Sequence, residues 1–204
     1  MAIDNIELIK PLLEFKDDSF HQLLILKRKK DFPDKLKNAI QSVRTIKSYC
    51  ITSIEYLEDR YEEIKMLCEV FQARAYIHVC SQNHKDVALN MINEIINRVK
   101  ANQHNQKNVF DSVVGQLKVN EKRWIIDVDT KDKIYIAELC ATIALIQPYD
   151  LEKIITFIPT KNGCHIITKP FNLEEFRKIE GYKDVEIQKR NPTLLYFPNS
   201  LENI

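Results

Sequence analysis

Glycine is scarce in this chain: three in 204 residues, beside seven prolines. Flexible linkers are built from glycine and serine or from proline runs. The composition therefore excludes loosely tethered modules and implies one compact unit over residues 1–204, with at most two lobes. Paired cysteines are missing too. Cys50, Cys68, Cys80, Cys140 and Cys164 are scattered, odd in number and never spaced Cys-x-x-Cys. That excludes a zinc-finger site and leaves most of them as small core residues in a reducing compartment. Net charge is nearly absent: 30 basic against 29 acidic side chains gives +1. Bulk charge cannot hold nucleic acid, so any such binding needs a local basic groove. No apolar run approaches the roughly 20 residues that span a bilayer. The start, Met1-Ala2-Ile3-Asp4, lacks the basic-then-apolar pattern of a secretory leader. A cytoplasmic setting without membrane contact is the expectation.

What is present is an alternation of two periodicities. Strands are expected over residues 20–26, 44–51 and 73–80. Leu57, Tyr61, Ile64, Cys68 and Phe71 recur every three or four residues and predict an amphipathic helix over 53–71. Val87, Met91, Ile95 and Val99, flanked by Ala88, Ile92 and Ile96, predict a second. A polar stretch at 102–108 and a short helix near 109–117 lead into the second half. That half reads strand (123–128), helix (132–146), strand (154–158), turn, strand (165–168), helix (173–179), strand (185–187) and strand (194–197). Strands alternating with helices and hairpins predict an α/β or α+β sandwich. The lobes divide at about residue 105, with lobe 1 over 1–105 and lobe 2 over 106–204.

The chemistry-bearing residues lie in the second half. Trp124-Ile125-Ile126-Asp127-Val128-Asp129 is an apolar strand that ends in two carboxylates one residue apart. A strand alternates faces, so Asp127 and Asp129 share one. Neighbouring carboxylates repel unless a cation, a shared proton or water lies between them. A helix cap within Asp129-Thr130-Lys131-Asp132 accounts for one of these acids, not for Asp127 inside the apolar run. Mg²⁺ prefers one or two carboxylates completed by water and substrate phosphates, which suits this pair.

Thr160-Lys161-Asn162-Gly163-Cys164-His165 follows. Asn-Gly is the strongest two-residue hairpin signal. A hairpin there would set Lys161 and His165 to donate to a triphosphate, and Gly163 would let a phosphate approach the backbone. Elsewhere, Arg74 in an apolar strand calls for either a phosphate or a structural carboxylate. Lys27-Arg28-Lys29-Lys30 reads as a solvated strand end, Lys169, Lys189 and Arg190 as a solvated face, and Tyr196 and Phe197 as core.

Together the Asp127-Val128-Asp129 strand and Gly163-Cys164-His165-Ile166-Ile167 resemble the archaeo-eukaryotic primase superfamily, the primase-polymerases. Its first motif is an apolar strand ending in Asp-x-Asp or Asp-x-Glu. Its second is a small residue, any residue and His in a hairpin. Its third is an apolar residue followed by Asp or Glu on a later strand. The resemblance spans about residues 123–197. It implies that Asp127 and Asp129 hold metal, that His165 contacts the nucleotide phosphates beside Lys161, Asn162 and Gly163, and that Glu186 after Val185 is the third acid. Asp184 shares the expected strand face and stands as its rival.

The implied fold is a two-lobed catalytic core whose C-terminal half is similar to an RNA-recognition fold, in a compact member of the type found in phages and mobile elements. The implied activity is nucleotidyl transfer with Mg²⁺ or Mn²⁺, nucleoside triphosphates and a nucleic-acid template, among replication proteins. Two other readings stand beside it: a metal-dependent nuclease, and a non-catalytic replication protein that binds nucleotide or nucleic acid.

Overall fold

The computed structural model describes residues 2–32, 43–117 and 122–199. Its first sheet grows from the longest apolar run, β2 (Ser19–Lys27), which pairs antiparallel with β3 (Arg44–Ile51). On the other side of β2 lies β4 (Arg74–Ile77), then β10 (Thr193–Phe197), then the short β1 (Ile3–Asp4). A two-residue strand, β5 (Gln82–Asn83), also pairs with β2. Helix α1 (Ile6–Ile9) follows β1. Neither β1, α1 nor β5 is long enough to leave a periodicity, and none is expected from the sequence.

Helix α2 (Ile54–Phe71) begins at Ser53, whose side chain accepts from the Tyr56 backbone N–H, and stops at Gln72 in the left-handed region. Its stripe of Leu57, Tyr61, Ile64 and Cys68 is buried on Leu23, Ile25 and Ile77 of the sheet. Each aliphatic side chain so buried contributes about 1.5–3 kcal/mol. Helix α3 (His84–Lys100) is capped by Asn83 and forms where its stripe predicts, but most of that stripe is not buried. Only Val87 is buried, with Met91 partly so, against α4 (Val109–Gln116) and Phe20, while Ile92, Ile95, Ile96 and Val99 face solvent.

The second sheet is a β-α-β-β-α-β unit. It comprises β6 (Trp124–Val128), α5 (Lys133–Leu145), β7 (Ile154–Pro159), β8 (Cys164–Thr168), α6 (Leu173–Arg177) and β9 (Glu186–Gln188). The strand order is β7-β8-β6-β9, antiparallel throughout. Alternation along β6 separates its faces. Trp124, Ile126 and Val128 pack with Leu139, Ile143 and Phe176 of the helices. Ile125, with Ile158 and Ile167, joins the core of the first sheet.

The molecule is thus a mixed α+β fold of two antiparallel sheets and six α-helices among the described residues. A division of the lobes at residue 105 does not follow the sheets. Helix α4 packs on α3, and β10 returns to the first sheet between β1 and β4. Buried Asn5 spans the two sheets, donating to Pro159 O at 3.0 Å and Leu194 O at 2.9 Å. Arg123, at the foot of β6, reaches the Leu12 carbonyl and the Glu14 carboxylate. No described helix is long and apolar enough to cross a membrane.

Candidate functional site

Register decides the site. In β6, Asp127 lies directly opposite His165 of β8 on one side and Glu186 of β9 on the other. Residues directly opposed in antiparallel strands project from the same face, with Cβ atoms about 4.5–5.5 Å apart. Ile158 of β7 extends the same row, being opposite His165. The row therefore runs Ile158, His165, Asp127, Glu186 and grades from core to solvent: the first two are buried, Asp127 is half-buried and Glu186 is exposed. It occupies the face turned away from α5 and α6.

His165 is held from both ends. Its Nδ1 is 2.9 Å from Thr193 Oγ1 on β10, a buried bond that links the second sheet to the first. Its Nε2 is 3.6 Å from Asp127 Oδ1, beyond direct hydrogen-bond reach. Burial pushes the imidazole down to about 4, the charge of Arg28 pushes the same way, and Asp129 opposes them. At neutral pH the ring is uncharged. It can donate one N–H to a phosphate, but it brings no positive charge to one.

Asp129 lies one residue past the end of β6 and is exposed. Its expected helix-capping duty falls instead to Asp132, whose carboxylate accepts from the N–H groups of Ile134 and Tyr135 at the start of α5. Capping therefore explains neither acid of the Asp-x-Asp pair. Asp127, Asp129, Asp184 and Glu186 line one open groove of about 430 Å³ with Tyr135 and Gly181. Glu186 Oε1 accepts from Gln188 Nε2 at 2.6 Å on the same strand face. Of the two rivals for third acid, Glu186 stands in β9 opposite Asp127, whereas Asp184 precedes the strand in a turn.

The β7–β8 hairpin differs from the Asn-Gly expectation. Thr160 N–H donates to Gly163 O at 3.0 Å and Gly163 N–H to Thr160 Oγ1 at 3.2 Å, so Lys161 and Asn162 form the tip. Gly163 has no left-handed φ. Its need is steric: a Cβ there would lie 1.8 Å from Val128 O and 2.8 Å from Thr130 N. The space where glycine was expected to admit a phosphate is filled by the backbone that carries Asp129. Gly163 is what lets the hairpin lie on that segment.

Basic groups of the hairpin tip and the first sheet lie over aromatic rings. Lys161 Nζ is 5.6 Å from the Phe197 ring centre, and the Arg74 guanidinium lies over the same ring at 4.8 Å. Arg28 stacks on Tyr76 at 4.8 Å. Arg74 has the structural carboxylate that was one of its two expected partners, the buried Asp31.

Two members of the neighbourhood escape a reading of the sequence. Arg28 sits in a basic run that looks solvated, yet it is half-buried and acts on His165. Thr193 carries no local signal at all, because its contact joins residues 28 apart across two sheets. Lys169, Lys189 and Arg190 have other duties: Lys169 pairs with Asp150 at 2.8 Å, Lys189 lies over the Trp124 ring, and Arg190 donates to Gln116 O. Tyr196 and Phe197 are buried, as expected of core residues.

The donor set is chemically suited to a hard cation, since carboxylate oxygens and water favour Mg²⁺ or Mn²⁺. Among the described residues no three His, Cys, Asp or Glu side chains already converge as a cage. Mg²⁺ does not require one, because it keeps several waters and takes substrate phosphates.

Comparison with protein-family models, with curated proteins and with solved structures gives no match.

Proposed function

We propose that this chain is a primase-polymerase-like nucleotidyltransferase that joins nucleoside triphosphates along a nucleic-acid template. One observation carries the reading: the antiparallel register sets His165, Asp127 and Glu186, drawn from three separate sequence motifs, in one row on one sheet face. The β-α-β-β-α-β order with strands arranged β7-β8-β6-β9 supports it further, being the arrangement of a ferredoxin-like or RNA-recognition-type unit.

Mg²⁺ or Mn²⁺, held by Asp127, Asp129 and Glu186, would supply charge neutralisation at the triphosphate and lower the pKa of the attacking 3′-hydroxyl. The chain's own groups do the rest. A Thr193 hydroxyl that donates to Nδ1 leaves the His165 proton on Nε2, aimed along the carboxylate row. From there it would donate to a phosphate oxygen without adding a charge. Lys161 at the hairpin tip and Arg28 beside His165 would bring the positive charge that His165 lacks. Positioning and charge stabilisation are then the main catalytic contributions.

The deciding experiment incubates the chain and a primed template with Mn²⁺, with and without nucleoside triphosphates. Extension only when nucleotides are present supports the proposal. Degradation without nucleotides would make the protein a nuclease. Nucleotide or template binding without any product would make it a non-catalytic replication component.

A further inference from the structure

Helix α3 has its polarity inverted. Val87, Met91, Glu94 and Arg98, spaced four, three and four residues apart, form the side turned toward α4, and half of that side is a Glu94–Arg98 ion pair at 2.7 Å. The apolar residues lie outside. Leu89, Ile92, Ile95, Ile96 and Val99 are between 37% and 61% exposed. A contiguous apolar stripe on a soluble surface marks an interaction site.

The spacing suits a second copy of the same helix. Leu89, Ile92, Ile96 and Val99 are separated by three, four and three residues. That pattern reads the same in both directions about position 94. Spacing of this kind is an a/d seam, and in an antiparallel pair each a residue meets a d residue of the other helix. A two-fold axis beside position 94 would place Leu89 against Val99 and Ile92 against Ile96, each contact made twice, for four apolar layers along a helix of about 25 Å.

Charge favours the same direction. The first turn of α3 carries Asp86 beside Lys85, and its last turn carries Lys100 and the Arg98 that is paired with Glu94. Antiparallel packing sets Asp86 near Lys100 of the other copy and opposes the helix dipoles, whereas parallel packing would set like charges together. A membrane surface is the poorer fit. The polar residues beside the stripe mix signs, Lys85 and Lys100 with Asp86, and Asn90, Asn93 and Asn97 turn to the groove beside α4, so the polar face is not the lysine- and arginine-rich one of an interfacial helix.

From these observations we infer that α3 is the interface of a homodimer, paired antiparallel with α3 of a second copy of this chain. The inference is independent of the catalytic reading, because α3 contributes nothing to the carboxylate row.

Sedimentation equilibrium on the full chain should show a monomer–dimer equilibrium. Ile92→Glu should weaken it by about 100-fold or more, because in an isologous interface every substitution acts twice. Asp86→Lys and Lys100→Glu should each weaken dimerisation, and the double reversal should restore it. Under mild oxidation, a mixture of Leu89→Cys and Val99→Cys chains should form a disulfide-linked dimer faster than either chain alone. A monomer at the highest soluble concentration overturns the proposal. So does a dimer indifferent to Ile92→Glu, or faster linkage of Leu89→Cys to itself, and the charge and cross-linking arms decide if Ile92→Glu does not fold.

Discussion

The two sheets handle charge in opposite ways. In the first, Arg74 enters an apolar strand and closes on Asp31, so a half-buried cation pairs with a buried anion. In the second, Asp127 and Glu186 face each other across neighbouring strands with like charge, and Asp129 follows two residues on. An opposite pair of this kind gains from its own attraction. Like charges on neighbouring strands repel unless a cation, a shared proton or water lies between them, and that difference is what the proposed metal site rests on.

The largest expected effect tests the binding side of this contrast. Asp127→Asn combined with Asp129→Asn should abolish Mn²⁺ binding in calorimetry while the circular dichroism spectrum stays native. Equal binding by the double variant and the parent would remove the metal site. On the structural side, Arg74→Met alone strands a buried carboxylate and should cost about 3–5 kcal/mol in urea unfolding. Arg74→Met with Asp31→Leu should recover much of that loss. Failure to recover would mean that Arg74 stabilises through something other than its pairing.

A third effect concerns pH. His165 is held near 4 in the fold against an ordinary value near 6.5. Between those values the unfolded chain binds a proton that the native ring refuses. Stability should therefore fall as pH drops through this window, by on the order of 2–3 kcal/mol from this residue. His78, also pushed by burial down to about 4, adds to the same slope. His165→Gln should flatten the acid limb of a stability–pH curve, and an unchanged limb would show that His165 protonates freely in the native state.

The smallest effect separates the rival acids. Millimolar Mn²⁺ should raise the melting temperature by mass action, by a few degrees. Glu186→Gln should reduce that gain more than Asp184→Asn. The reverse order would move the third carboxylate into the turn before β9.

Legibility followed range. The helix of residues 54–71 and the strand of 44–51 could be read because their signals, a 3.6-residue stripe and alternation, are local. The alternation of strand and helix along 123–188 was visible for the same reason. Helix α3 was equally legible from its stripe but the exposure of that stripe was not, because periodicity reports that a helix has an apolar face and is silent on which side packs inward. At Gly163 the close neighbour is the Val128–Thr130 backbone, which no local signal names: a missing Cβ signals close approach without saying to what.

By itself the sequence determined that Asp127 belongs to an apolar strand and that Asp129 follows just after it. Strand alternation and residue type depend only on near neighbours in the chain. The tertiary structure alone decided that Asp127 stands between His165 and Glu186, that Thr193 and Arg28 act on the histidine, and that β10 returns to the first sheet. Those arrangements rest on hydrogen-bond register and on packing between segments far apart in sequence. A one-residue slip in that register would turn the same side chains to the opposite face.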